Sequence, residues 1–558
     1  MKRAAVGVFS GVFVLFFAAG SATSASSTGH VKPRWRATVA TLPPNTGSSV
    51  LWLTNPSISC ASPGNCTAVG SYDLDSSVPP CGAPGLLLSE TAGHWGTGVD
   101  AVLPANGSVL CPQVWLNSVS CPSPGNCVAV GSYSSTEGGE PGLLLTEKAG
   151  YWTAHEAALP ANPDPGPFDS YVTLNSVSCA SVGNCTAVGY YGGSGDGVGL
   201  LLTEKRGHWA RGVTPPLPSD ASGTGVNLSS VSCAADGSCS AVGLYDGNFP
   251  SRGDASGKPL LLTNAGGEWH AVKAVMPPDG PGEWAEVSSV SCASGGNCSA
   301  IGAYNIGIDS EHGPEGVLLT EKAGEWGRGI KAKTPKNAAT SGFWAGYGEL
   351  TGISCSSPGN CVTVGNYFDD HNRGQGMMVT EKAGEWRRGV RAALPRHVHA
   401  GSLYIVSCAS PGNCTAAGYY AAPGGHGDAG GVMFLTETAG RWARGVKAPI
   451  WRESLGVFAI SCASPGNCGV VGGSHLNQIL VDGLLLDSST RPCVVPRLNR
   501  ETVATARRSL DSHGCAVGRI ERARSRTIER GHVISQTRQP GRRLAPWTKI
   551  GLEVSKGP

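Results

Sequence analysis

The chain has 558 residues, with 81 Gly and 38 Pro and only 15% charged side chains. Such a composition is poor in helix formers and rich in turn formers, so it excludes a helical bundle and favours short strands joined by tight turns. The near balance of 42 Lys and Arg against 40 Asp and Glu conceals two segments of opposite sign, because residues 491–558 hold 15 basic against 5 acidic side chains and the remainder 27 against 35.

The chain opens with Lys2 and Arg3, an apolar run from about Val6 to Ala19, and then small residues. This pattern is that of a secretory signal peptide over residues 1–25, cleaved between Ala22 and Ser26, and the run is short for a membrane span. The first cysteine after it is Cys60, so a lipid anchor is not expected. The mature protein is expected to be secreted, outside any membrane, and monomeric.

From residue 57 onward a cysteine-bracketed turn of the type SISCASPGNCTAVG occurs eight times. Its pairs are Cys60 and Cys66, Cys121 and Cys127, Cys179 and Cys185, Cys233 and Cys239, Cys292 and Cys298, Cys355 and Cys361, Cys408 and Cys414, and Cys462 and Cys468. Successive starts lie 61, 58, 54, 59, 63, 53 and 54 residues apart, which marks one supersecondary unit copied along the chain, as in a propeller or a solenoid. Four cysteines remain: Cys81, Cys111, Cys493 and Cys515. An even count in an exported chain predicts disulfides. A zinc site needs closer cysteine spacing or a recurring histidine, so neither metal nor cofactor is expected.

Each unit divides into four short strands, A to D. Ser-Val-Ser forms A, the Pro-Gly-Asn loop reverses the chain, CTAVGSY forms B, GLLLTE forms C, and a Lys-Ala-Gly turn leads to D. A disulfide across so short a loop stabilises by roughly 2 kcal/mol in the chain-entropy account. The glycine of strand B recurs as Gly70, Gly131, Gly189, Gly243, Gly302, Gly365, Gly418 and Gly472, and glycine inside a strand marks a bulge or a close backbone approach. We read it as crowding near the axis of a closed ring.

The tryptophan opening strand D recurs seven times, at Trp95, Trp152, Trp209, Trp269, Trp326, Trp386 and Trp442. An eighth, Trp35, precedes the first unit, whereas the last unit ends at Asp487 without a D strand. An open solenoid gains nothing from such a split, but a closed ring uses it to pair its first strand with its last unit and remove exposed edges. The expected fold is therefore all-β: an eight-bladed β-propeller over residues 26–490, closed by the strand around Trp35 to Leu42, followed by a small α+β domain over residues 491–558.

In that second domain the spacing of Val503, Ala506 and Leu510 predicts a helix ending near Gly514, followed by strands at Ala516–Glu521, His532–Thr537 and Lys549–Ser555. Val495-Pro496, the Ala506 and Leu510 helix, Gly518, the run Gly531 to Gln536, Gln539-Pro540-Gly541, and Val554 to Gly557 together resemble the PASTA domain. In that family the module accompanies serine/threonine kinase receptors and penicillin-binding proteins and is linked to recognition of peptidoglycan fragments or β-lactams. Here a single copy stands without kinase or transpeptidase. The resemblance implies binding of peptidoglycan, and Arg507, Arg508, Arg522, Arg524, Arg526, Arg542 and Arg543 suit carboxylates or phosphates of an anionic wall polymer. Cys493 and Cys515 flank the helix and are read as a further disulfide.

Residues present in every unit belong to the scaffold, so ligands are sought on the variable B–C and D–A connections. Aromatic side chains gather just before strand A, at Trp52, Trp115, Tyr171, Trp284, Trp344, Tyr347, Tyr404 and Trp451, as a sugar-stacking mouth would require. A glycan or a protein is the expected ligand, and nucleic acid is excluded by export. The B–C loops also carry Asp73, Asp75, Asp196, Asp246, Asp254, Asp309, Asp369, Asp370, Asp428 and Asp482, whose convergence would permit glycan cleavage. The recurring Glu of T-E-K-A-G, as at Glu147 and Glu204, is read as turn chemistry. No nucleophile elbow, phosphate loop or metal-ligand motif is present, so no catalytic residue is assigned. The sequence points to an exported, wall-associated binding protein, with a wall- or glycan-degrading enzyme as the alternative.

Overall fold

The computed structural model describes residues 34–44, 54–72, 74, 81–161, 171–192, 197–234, 237–246, 257–279, 284–305, 313–341, 345–421, 430–449, 455–476, 479–489, 493–544 and 548–557. All twenty cysteines are paired, and Cys81 joins Cys111 just as Cys493 joins Cys515.

Unit 3 illustrates how the repeated sequence becomes structure. Strand A (Val172–Ser181) pairs with B (Asn184–Tyr191), B with C (Val198–Lys205), and C with D (His208–Trp209), all antiparallel. Cys179 stands opposite Cys185 across the hairpin, with Cα atoms 4.0 Å apart. The loop turns on Gly183 at φ 73°, and the Asn184 side chain donates to Ser181 Oγ and to the Val182 carbonyl. The C–D turn places Arg206 and Gly207 both at positive φ, the geometry whose twist matches a two-residue hairpin. Gly207 N–H donates to the Gly183 carbonyl at 2.9 Å, and five other units repeat that bond between their two turns.

Strand A bulges between Leu174 and Ser176, and the recurring glycine of strand B faces the bulge. A Cβ on Gly189 would lie 1.9 Å from the Thr173 carbonyl oxygen, and the equivalents at Gly131, Gly243, Gly302, Gly365 and Gly418 meet the same carbonyl at 1.7–2.0 Å. The glycine therefore accommodates its own hairpin's bulge, and not the crowding at an axis that its recurrence suggested.

Strand D is continuous where its sequence lacks glycine: Tyr151–Glu156 in unit 2, Glu268–Lys273 in unit 4 and Arg34–Val39, which serves the last unit. Elsewhere a glycine breaks it. Gly98, Gly212, Gly329, Gly389 and Gly445 each give their N–H at 2.7 Å to a carbonyl of the preceding unit.

Strands B and C are apolar on both faces because each unit stacks against two neighbours. Among the described residues the buried side chains of the repeats form eight clusters, each straddling two successive units. The eighth joins Val471 and Leu485 of the last unit to Ile58, Ala68 and Leu86 of the first. A ring of hydrogen bonds follows the same order. The N–H of the first cysteine in each unit donates to the hydroxyl of the serine immediately before the first cysteine of the preceding unit, from Cys121 to Ser59 through Cys462 to Ser407, and Cys60 closes the series onto Ser461, all at 2.9–3.0 Å. Arg34–Val39 pairs antiparallel with the C strand of the last unit, Trp35 opposite Ser488 and Val39 opposite Leu484, while Trp35 stacks on Phe434 at 3.7 Å. The chain is all-β through its repeats, with four-stranded sheets in a propeller-like arrangement.

In the C-terminal segment the helix spans Val503–Ser512, and Thr502 Oγ1 caps it by accepting the Thr505 N–H. Val503, Ala506 and Leu510 face Val533, Ile550, Leu552 and Val554. Strands Ala516–Ala523 and Val533–Gln536 flank the central Lys549–Ser555, the first parallel to it and the second antiparallel. Gln536 is structural: its Oε1 accepts from Leu498 N–H at 2.9 Å, and its Nε2 donates to the Pro496 and Arg538 carbonyls.

Candidate functional site

The two ends of the repeat differ in what they leave free. At the disulfide end the A–B and C–D turns are bonded to each other in unit after unit. The other end is built from connections that differ between units, and its base is a set of buried tyrosines closing strand B. Tyr72 donates to Asp100 at 2.5 Å, Tyr133 to Asn106 and Glu156, Tyr245 to Asp220 at 2.7 Å, Tyr304 to Asp279 and Glu315, and Tyr367 to Asn337 at 2.9 Å. Burial, reinforced in the first four by the adjacent carboxylate, raises these phenols above their ordinary value. They serve as struts under the loops. Their recurrence two residues after the strand B glycine was the signal available in the sequence.

The A strands form the inner wall, each lying against the A strands of the units on either side. Along each, buried aliphatic positions alternate with half-exposed ones. The half-exposed second position carries Trp115, Thr173, Asn227, Glu286, Glu349 and Ser402 in successive units. At the bulge, Asn117 donates to the Leu174 carbonyl, Asn175 to Leu228, Ser229 to Val287 and Thr351 to Leu403, so polar side chains stitch one unit to the next.

Glu286 and Glu349 occupy the same position in neighbouring inner strands. Burial raises the Glu286 carboxyl above its ordinary value, and the charge of Glu349 adds to that. Glu349 Oε2 accepts from the Tyr347 hydroxyl at 2.7 Å, and Tyr347 is held edge-on to Phe368 at 5.3 Å. Sequence reasoning missed both glutamates because they lie on a strand and not in a loop.

Of the aromatic residues expected at the mouth, Tyr171 is 41% and Tyr404 37% exposed, and Trp115 and Trp284 are half-buried. Tyr404 lies 5.2 Å from the ring of Tyr419, whose hydroxyl bonds the Val457 backbone. Trp52, Trp344 and Trp451 lie outside the described residues, as do Asp73, Asp75, Asp196, Asp254, Asp309, Asp428 and the Asp482 side chain.

Of the loop aspartates that are described, Asp369 and Asp246 are each held by several donors. Asp369 is fully buried and accepts from the His371 and Arg373 N–H groups, the Arg373 guanidinium and Gln375. Burial pushes its pKa up, yet these donors together hold it below the ordinary value. Asp370 is exposed and bonds His371. For Asp246, burial is likewise outweighed, by Lys258 at 2.9 Å and the Ser222 and Gly223 N–H groups, and its pKa falls to about 2.

The recurring glutamate of strand C is not turn chemistry. Glu90, Glu147, Glu204, Glu321, Glu381 and Glu437 are 1–5% exposed and lie at the seams between units. In the seam between units 4 and 5, Trp326 Nε1 donates to Thr263 Oγ1 at 3.0 Å, and Thr263 Oγ1 donates to Glu321 Oε1 at 2.5 Å. In this seam Trp326, Thr263 and Glu321 form an inter-unit clasp, and elsewhere Trp209 and Trp386 repeat its Trp-to-Thr half onto Thr146 and Thr320.

On the C-terminal module Arg507, Arg508, Arg522, Arg524, Arg526, Arg542 and Arg543 are all exposed, and none of the ion pairs between described residues uses them.

No family model and no curated protein matches the chain. Among solved structures it is similar to YCF48 from Cyanidioschyzon merolae, at 13% identity over 66% of this chain and 94% of that one, with a TM-score of 0.36. It is also similar to a PL25 polysaccharide lyase, an ulvan lyase, at 11% identity over 79% and 94%, TM-score 0.39. Trypanosoma rangeli sialidase follows at 9% identity over 80% and 59%, TM-score 0.33. Likenesses this distant carry no function across to this chain.

Proposed function

We propose that the protein is an exported, cell-wall-associated binding protein. The eight units form one closed eight-bladed propeller whose variable end, around the inner-wall mouth, takes a glycan or a protein. Residues 491–558 form a PASTA-like module that holds peptidoglycan or another anionic wall polymer through its exposed arginines. The observation that carries this reading is the contrast between the ends of the repeat. One end is occupied in unit after unit by turn-to-turn hydrogen bonds, while the other exposes Tyr171 and Tyr404 and leaves Trp115 and Trp284 half-buried. Ten disulfides fit an extracellular setting. Retention of the full chain on insoluble peptidoglycan tests the wall-binding part. Arg522→Gln/Arg524→Gln/Arg526→Gln is expected to lose retention and to lower its salt dependence, and equal retention would reject it. A glycan array probed with the full chain and with Tyr171→Ala/Tyr404→Ala tests the mouth.

A second reading, hydrolysis of a polysaccharide, is favoured by one observation. Glu286 is pushed towards the protonated form beside a Tyr-oriented Glu349, the pairing of environments that separates a general acid from a general base. These two replace Asp369 and Asp370 as the carboxyl pair of interest. Release of reducing ends from wall polysaccharide, abolished in Glu286→Gln and Glu349→Gln, would establish it; absence of release from the native protein would remove it.

A further inference from the structure

The seam glutamates are equally buried but unequally partnered. Glu321 receives Ser240 Oγ at 2.8 Å as well as Thr263, and Glu381 receives Ser299 Oγ at 3.2 Å. Ser240 and Ser299 each follow the second cysteine of the preceding unit. In the units preceding Glu204 and Glu437 that place is taken by Val128 and Val362, both buried. Both carboxyl oxygens of Glu204 and one of Glu437 are buried without a hydrogen-bond partner. The recess that Glu204 shares with Glu147, Cys127 and Cys185 leaves about 10 Å³ of free space, at the lower limit for one water molecule. An ionised carboxylate without donors or water in such a place is strongly disfavoured.

We propose that Glu204, with Glu437 as its counterpart, is a proton-operated latch at the seams. Protonated, it sits neutral in the dry recess. Ionised, it draws water or a cation in and loosens units 2 and 3 from each other. The charged groups facing Glu204 are Lys148 from unit 2 and His208 from its own fourth strand, with Glu147 in the same recess. Burial raises the carboxyl, and Lys148 and His208 pull it back only in part. For Glu437 burial alone acts. A carboxyl raised in the folded chain binds its proton more tightly there than in the unfolded one. Its stabilisation is therefore complete below the unfolded value of 4.5 and is lost as pH rises through the raised value. Each unit of elevation changes the unfolding constant tenfold across that window.

The test compares unfolding constants of the full-length oxidised protein near pH 4.5 and about pH 7.5. Native protein is expected to unfold more readily at the higher pH. Glu204→Gln is expected to shrink the ratio between the two constants. Val128→Thr, which supplies the hydroxyl that Ser240 gives to Glu321, is expected to shrink it as well. His208→Gln removes the imidazole that faces Glu204 and should leave most of the ratio in place. An infrared difference spectrum of native protein minus Val128→Thr, taken just above the ordinary glutamate range, should contain a protonated-carboxyl band, which covers the case in which Glu204→Gln fails to fold. A native pH ratio in Glu204→Gln, no effect of Val128→Thr, or no such band would each overturn the latch.

Discussion

Replacing Thr263 by valine removes one hydroxyl from the seam between units 4 and 5 at almost constant shape. That hydroxyl accepts from Trp326 Nε1 at 3.0 Å and donates to Glu321 Oε1 at 2.5 Å. The substitution strands both partners in a buried place. At about 1–3 kcal/mol for each unsatisfied group, less about 1 kcal/mol for the buried methyl gained, the expected loss is roughly 3 kcal/mol. Glu321 keeps the Ser240 bond, which places the carboxyl's share at the low end. Thr146→Val is the internal control. Its hydroxyl receives Trp209 at a long 3.4 Å, and Glu204 receives nothing from it, so its expected cost is about 1 kcal/mol or less. Guanidinium unfolding of the oxidised full chain, followed by tryptophan fluorescence, measures both. Equal losses for the two variants, to within about 0.5 kcal/mol, would refute the clasp and reduce the recurring Trp, Thr and Glu to independent packing residues.

Three further outcomes are expected. Gly302→Ala forces a Cβ to within 1.8 Å of the Glu286 carbonyl oxygen and should cost more than about 3 kcal/mol or prevent folding, whereas Gly93→Ala, whose Cβ meets nothing within 4 Å, should cost only its positive-φ strain, about 1 kcal/mol; thermal melts of the two distinguish steric from conformational cost. Trp35→Ala removes the stack on Phe434 and should destabilise by about 3–5 kcal/mol, with proteolysis of the first strand as the readout of an opened ring. Asp246 is depressed to about 2 from 3.8, so its contribution is present above the unfolded value and is lost as pH falls through about 2. Asp246→Asn should therefore flatten the stability curve between those two values, and an unchanged acid limb would contradict the assignment.

How much was legible can be followed residue by residue. The Cys179–Cys185 pairing, the reversal at Gly183 and the turn at Arg206 and Gly207 involve residues a few positions apart, where strand period and turn geometry leave few alternatives. The displaced strand at Trp35 was readable because repetition supplied its template, and it pairs as expected with the last unit. The helix at Val503–Ser512 and its three strands also follow the apolar spacing. Asp369 was read only as one of the loop aspartates whose convergence would permit glycan cleavage, and the structure buries it under its own loop. Four residues away, Arg373 closes on it, a consequence of the loop's path that composition does not disclose. The seam glutamates were misjudged because the T-E-K-A-G string reads as a turn from within one unit, and the burial of its Glu arises only when the next unit stacks over it.

By itself, then, the sequence determined the disulfides of the repeat, the turns and the number of units, whereas the bulge that the recurring glycine faces came with the structure. Only the tertiary structure decided which recurring residues meet across seams, because Thr263 and Glu321, or Glu286 and Glu349, lie 58 and 63 residues apart. Their proximity depends on how one twisted sheet stacks on the next, which no local propensity encodes. The same stacking made Glu204 a dry carboxyl and left Glu286 half-buried on the inner wall. Both differences arise from which neighbour the adjoining unit presents, a valine in one case and a second glutamate in the other.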